Sequence, residues 1–167
     1  VINGGKDSGA VANGRREKDL NLVLGLEVFR RAMLESPRLW IPAMTRWRDE
    51  RMSLDSRVAV CNKLDAPTVS IHHNSAPNPK AHGAEAWVYH SFEDGLETAC
   101  HSLGVYLLAA LRDTAGLDTS RGVKTNPLFR ILNGTKQAAV ILEVGFLTNA
   151  EDARLVVERR AKIAGGI

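Results

Sequence analysis

Two imidazoles end the run Thr68-Val69-Ser70-Ile71-His72-His73-Asn74, and one carboxylate, Glu143, interrupts the otherwise apolar Ala138-Ala139-Val140-Ile141-Leu142-Glu143-Val144. Imidazole is a common zinc ligand and a proton carrier near neutral pH. A carboxylate inside an apolar run is costly unless it is paired or metal-bound. On these residues alone, Glu143 reads equally well as half of a structural ion pair and as an active-site acid. Successive side chains on a strand point to opposite faces, so His72 and His73 cannot both serve one site. The plain alternative for them is one buried, hydrogen-bonded histidine and one on the surface. A third candidate, Glu17, stands where an amphipathic segment begins. An acid there also simply complements the helix dipole.

These residues need elements to hold them. The β-branched 68–74 run, bounded by Pro67 and by Asn-Ser-Ala-Pro-Asn-Pro, predicts a buried strand. Residues 138–144 predict a central strand covered on both faces. Further strands are expected at 1–3, 39–44 (an edge strand, given Pro42), 84–89 and 128–132. A helix opens at Arg15–Leu20, with Leu22, Leu26, Phe29 and Met33 on one face and Glu27 and Arg31 opposite. A second carries Leu54, Val58, Cys61 and Leu64, with Ser53 as its cap. A third carries Leu96, Cys100, Leu103, Leu107 and Leu111 and stops at Gly116. Asn149 caps a last helix running to the C-terminus. Alternating strands and helices predict an α/β fold. The expectation is a single domain over 1–167, with a twisted, mostly parallel sheet of about six strands and helices on both faces.

The chain has 167 residues, 44% hydrophobic and 25% charged, with a formal net charge of +3. That is enough for one well-buried core and short for two domains. Its basic residues are scattered, which argues against a nucleic-acid groove. No apolar run nears the roughly 20 residues that span a bilayer. The amino terminus lacks a secretory pattern and begins without Met inside an apparent strand, so preceding residues are expected. Cys61 and Cys100 lack metal-ligand spacing and read as small core residues. Gly4-Gly5-Lys6-Asp7-Ser8-Gly9-Ala10 is rich enough in glycine to approach a ligand but lacks the Walker spacing of a phosphate loop.

Taken together, these segments resemble the zinc-dependent N-acetylmuramoyl-L-alanine amidases of the amidase-3 family. The resemblance rests on 4–10 as the opening loop and on Glu17-Lys18-Asp19-Leu20-Asn21-Leu22 as the ligand-bearing helix start. It continues through Thr45-Arg46, Leu54, Arg57, Ser70-Ile71-His72 with Asn74, and Gly83-Ala84-Glu85. Arg121-Gly122-Val123-Lys124 and Glu143-Val144-Gly145-Phe146-Leu147-Thr148-Asn149 complete it.

The resemblance implies one zinc ion with Glu17 and His72 as ligands, Glu143 as the catalytic carboxylate, and Asn74, Glu85 and Asn133 at the substrate. It implies hydrolysis of the amide between N-acetylmuramic acid and L-alanine in peptidoglycan. The enzyme would act at the cell wall, without membrane insertion, nucleic acid or, on expectation, a second subunit.

Two departures stand out. The family's loop carries a histidine, its first zinc ligand, in an x-Gly-His segment that would fall between Asn3 and Gly4. Here Asn3 runs directly into Gly4. Either that segment is missing or Asn3 occupies the histidine's place; the fit of Val-Ile-Asn to the family's strand end favours the first. Asn133 stands where many relatives carry arginine. Autoinhibited relatives insert a helix where only His90-Ser91-Phe92-Glu93 intervenes here, which predicts an open site. Two other functions compete: a zinc-free peptidoglycan-binding module, and a zinc peptidase acting within the stem peptide.

Overall fold

The computed structural model describes residues 4–35, 41–89 and 96–167. The expected strand at 1–3, the start of the one at 39–44 and the 90–93 connection lie outside them.

The first element is a small hairpin, β1 (Val11–Ala12) against β2 (Arg15–Arg16). Asn13 and Gly14 turn it, both at positive φ, 49° and 70°. That dipeptide is the commonest signal for a two-residue hairpin turn. The chain passes directly into α1 (Glu17–Glu35). After α2 (Leu54–Leu64) come β3 (Thr68–Asn74) and β4 (Glu85–Val88). The helix α3 (Leu96–Ala115), β5 (Val123–Thr125) and α4 (Arg130–Gly134) follow. The chain closes with β6 (Ala139–Phe146), α5 (Ala150–Glu158) and α6 (Arg160–Gly166).

Four strands form the main sheet in the order β3-β6-β4-β5. Two pairings, β3 with β6 and β4 with β5, are parallel, and β4 runs antiparallel to β6. The α/β class holds, with four strands in the main sheet among the described residues in place of about six. Residues 41–44 form no strand and pair with none among the described residues, in keeping with Pro42. The expected strand at 128–132 is instead α4, whose adjacent Ile131 and Leu132 are both buried. A run that short has no periodicity to separate strand from buried helix.

β6 is the axis of the sheet, and its alternation sorts the core. Val140, Leu142 and Val144 face one cluster with Leu24 of α1, Leu107 and Leu111 of α3, Val156 of α5 and Ile163 of α6. Ala139 and Ile141 face the other, with Val58 and Cys61 of α2 and Ile131 and Leu132 of α4. Helices therefore cover both faces. Cys61 and Cys100 are free thiols buried in these two layers, as their apolar settings predicted.

The buried stripe of α1 differs from the expected one. Leu24 and Ala32 are buried, whereas Leu26 and Met33 are 36% and 43% exposed. Leu20 stands three residues after Glu17, and Leu24, Val28 and Ala32 follow at steps of four, so the acid and the apolar stripe share one face. Among the described residues, no helix is long and apolar enough to cross a membrane.

Candidate active site

Register places three candidate groups in a row. His72 of β3 pairs with Glu143 of β6, which pairs with Glu85 of β4. Neighbouring strands lie about 4.7–4.9 Å apart, so their side chains stand abreast on one face. Ser70 and Trp87 extend the same face, two residues from His72 and Glu85.

Glu17 reaches this row from α1. Its Oε1 lies 2.7 Å from His72 Nδ1. The hairpin holds its other oxygen, because the amide of Ala10 donates to Oε2 at 2.9 Å. Asn21, one turn along α1, donates from Nδ2 to Oε1 at 3.3 Å. The Nε2 of His72 lies 3.1 Å from Ser70 Oγ. A hydroxyl both gives and takes hydrogen bonds, so Ser70 suits either imidazole tautomer.

His73 points the other way and is 2% exposed. Its Nδ1 meets Asn21 Oδ1 at 2.7 Å. Burial pushes its pKa down to about 4, against a smaller upward pull from Glu17, so it stays neutral at ordinary pH. The two imidazoles thus take opposite faces, as strand alternation required, and neither lies on the surface.

Glu143 lies between the others, and its Oε2 is buried with no hydrogen-bond partner among the described residues. Burial raises its pKa to about 7; His72 opposes that shift, and the carboxylates of Glu17 and Glu85 add to it. A carboxyl poised near neutrality can both accept and return a proton.

Two cavities meet at His72 and Glu143. The larger, about 690 Å³, runs between α1, residues 41–46 and α2, with Phe29, Met44 and Arg57 among its walls. The smaller, about 370 Å³, exposes Glu17, His72 and Glu143 beside the Gly9-Ala10 backbone.

The remaining candidates are placed less uniformly. Asn74 donates from Nδ2 to Glu85 Oε1 at 2.9 Å and lines the smaller cavity. Glu85 is only 1% exposed, and both its oxygens are taken by Asn74, Trp87, Arg121 and Lys124. Direct contact with a ligand is therefore closed to it, although burial alone would have pushed its pKa up and these cations hold it low. Asn133 is exposed, lines neither cavity and donates to Pro127 O at 3.0 Å. The fold does not bring it to the row.

Sequence reasoning assigned no role to Asn21, Ser70 or Lys18. The first two stand at i+4 from Glu17 and i−2 from His72, the spacings that share a face. Lys18 is buried and its Nζ donates to Gly5 O at 2.7 Å and Asp49 Oδ2 at 2.6 Å. Asp49 Oδ1 in turn accepts from Gly5 N at 2.8 Å, so this clamp fixes the glycine loop against the start of α1.

The donor set can be tested for zinc. Nitrogen and oxygen ligands at about 2.0–2.1 Å in tetrahedral array stand roughly 3.3 Å apart. Glu17 Oε1 and His72 Nδ1, at 2.7 Å, would part slightly to share an ion. Among the described residues no group of three His, Cys, Asp or Glu side chains converges as a metal site. The residues fit as two of the three protein ligands such zinc sites use.

Comparison with known proteins decides the family. A family model for N-acetylmuramoyl-L-alanine amidases, Amidase_3, matches residues 3–167. The chain belongs to that family. It is 32% identical over 152 residues to the uncharacterised protein YqiI of Bacillus subtilis, covering 90% of this chain and 69% of that protein. It is 31% identical to N-acetylmuramoyl-L-alanine amidase LytC of the same organism, spanning 90% of this chain but only 29% of LytC. The catalytic domain of CwlV, an amidase from Bacillus (Paenibacillus) polymyxa var. colistinus, superposes with a TM-score of 0.84 at 30% identity. That match covers 99% of this chain and 89% of CwlV's. Amidase AmiC2 of Nostoc punctiforme gives a TM-score of 0.86 at 27% identity, over 99% and 88% of the two chains. Cell-wall hydrolysis by an amidase is thus the family's chemistry.

Proposed function

We propose that this domain hydrolyses the amide joining N-acetylmuramic acid to L-alanine in peptidoglycan, with one zinc ion held by Glu17 and His72 and with Glu143 moving the proton. The observation that carries this reading is the convergence of Glu17 and His72 at 2.7 Å beside the buried Oε2 of Glu143, which has no partner among the described residues.

Bound there, zinc supplies Lewis acidity, which polarises an amide carbonyl and makes water a nucleophile near neutral pH. Glu143 takes the proton of the attacking water at Oε2 and returns it to the departing amine, leaving a free stem peptide and a carboxylate on the sugar. Ala10 and Asn21 orient Glu17, and Ser70 orients His72, as partners of metal-binding side chains do. The largely apolar wall of the larger cavity borders one side of the row.

The sequence has no histidine before His72. With the x-Gly-His segment absent, two protein ligands remain and zinc affinity falls steeply. Digestion of intact sacculi tests the reading. Free stem peptides are the expected product, and shortened peptides would assign the site to a peptidase. Binding without any product, by zinc-loaded protein, would leave a peptidoglycan-binding module.

A further inference from the structure

The polar row does not end at Glu85. Beyond β4 lies β5, preceded by Arg121 and carrying Lys124 in register with Trp87. Both cations bond the same carboxylate: Arg121 Nε and Lys124 Nζ donate to Glu85 Oε2, the second at 2.6 Å. Asn74 and Trp87 fill Glu85 Oε1 at 2.9 and 3.0 Å. One buried carboxylate is thus saturated by four donors and faced by two positive charges. One cation would balance it; the second leaves the cluster with a net charge of about +1.

That excess charge is presented to solvent. The Arg121 and Lys124 side chains are 32% and 31% exposed, whereas that of Glu85 is 2% exposed. Arg121 uses only Nε, and among the described residues its two terminal amino groups make no hydrogen bond. These are the atoms with which a guanidinium grips a carboxylate in two parallel bonds. Aromatic faces hold both cations in place: Phe146 lies 4.7 Å from the Arg121 guanidinium carbon, and Trp87 lies 5.2 Å from Lys124 Nζ. A merely solvated surface charge has no such scaffold.

We propose that Arg121 and Lys124 form a subsite for a carboxylate carried on the peptide part of the substrate, which rests on the amidase reading above. β5 lies two strand spacings from Glu143, about 9–10 Å. An extended peptide advances about 3.3–3.6 Å per residue, so the subsite meets a group two or three residues beyond the scissile amide. Glu85 is a positioning residue: it fixes the cations and leaves their outer faces open.

The test compares an N-acetylmuramoyl peptide bearing a free carboxylate at its second or third residue with the same compound amidated there. Zinc-loaded protein is assayed for turnover, and the Glu143→Gln protein for binding by calorimetry. The expected result is a preference of roughly tenfold for the free acid, expressed in KM and in Kd with kcat little changed. Arg121→Gln and Lys124→Gln should each erode that preference. Arg121→Lys, which keeps a charge against Glu85 and hence the fold, should erode it in part. Equal binding of both compounds, or a preference untouched by all three substitutions, overturns the subsite. Preferential binding of the free acid without any hydrolysis would leave the subsite standing and remove the amidase reading instead.

Discussion

At the scale of single residues, the proposed chemistry turns on Glu143. Its neighbours in β6 are all buried apolar or glycine positions, and its Oε2 has no hydrogen-bond partner among the described residues. Glu143→Gln keeps the shape and cannot accept a proton, so turnover should fall by roughly 10²–10⁴-fold while the fold is retained. Stability gives an independent sign. Burial raises the folded pKa from 4.5 to about 7. The contribution of the protonated acid is therefore fully present below about pH 4.5 and is lost as pH rises through about 7. In zinc-free protein, Glu143→Gln should gain stability on the parent as pH rises from about 4.5 to 7 and keep that gain above neutrality. Melting curves at pH 5 and 8 check this. A variant that is destabilised at both yet still active would make Glu143 half of a structural pair and not the catalyst.

The deciding elements are β3 and α1. Strand alternation sends Ser70 and His72 toward Glu143, and Val69, Ile71 and His73 toward the larger core. This much was legible in seven residues, because period two needs no tertiary information. The stripe of α1 was not: two apolar faces competed, and only packing against α6 and β3 selects the one continuing Glu17. His73 joins the elements through Asn21. Its folded pKa, lowered from 6.5 to about 4, means that stability is present above about pH 6.5 and is lost as pH falls toward 4. His73→Gln, which stays neutral, should flatten that acid limb in a stability–pH profile while leaving zinc content unchanged. Zinc loss in His73→Gln, with His72→Ala retaining it, would mean that the two histidines exchange roles.

At the scale of the molecule, the site is a junction between the glycine loop with its hairpin, the start of α1 and the sheet. The order of these parts was legible from motifs along the chain. What was hidden was pairing: Asn13-Gly14 went unread as a hairpin turn, and Glu85 gave no sign that its charge serves Arg121 and Lys124. Lys18 carried no role of its own in the sequence, and only the fold shows its clamp on Asp49. An ion shared by Glu17 and His72 would tie α1 to β3 and so stabilise the whole fold. Anything that binds only the folded state adds about 4 kcal/mol at 1,000 times its Kd. For a chain of 150–250 residues, each 1 kcal/mol raises the melting temperature by about 2–4 °C. Saturating zinc should thus raise it by roughly 8–16 °C, and a chelator should reverse the shift. His72→Ala should abolish it. Inserting an x-Gly-His segment between Asn3 and Gly4 should bring the full shift at far lower zinc, because it restores a third ligand. If His72→Ala melts with the parent's zinc response intact, the ion binds elsewhere, and the convergence of Glu17 with His72 is an ordinary hydrogen bond.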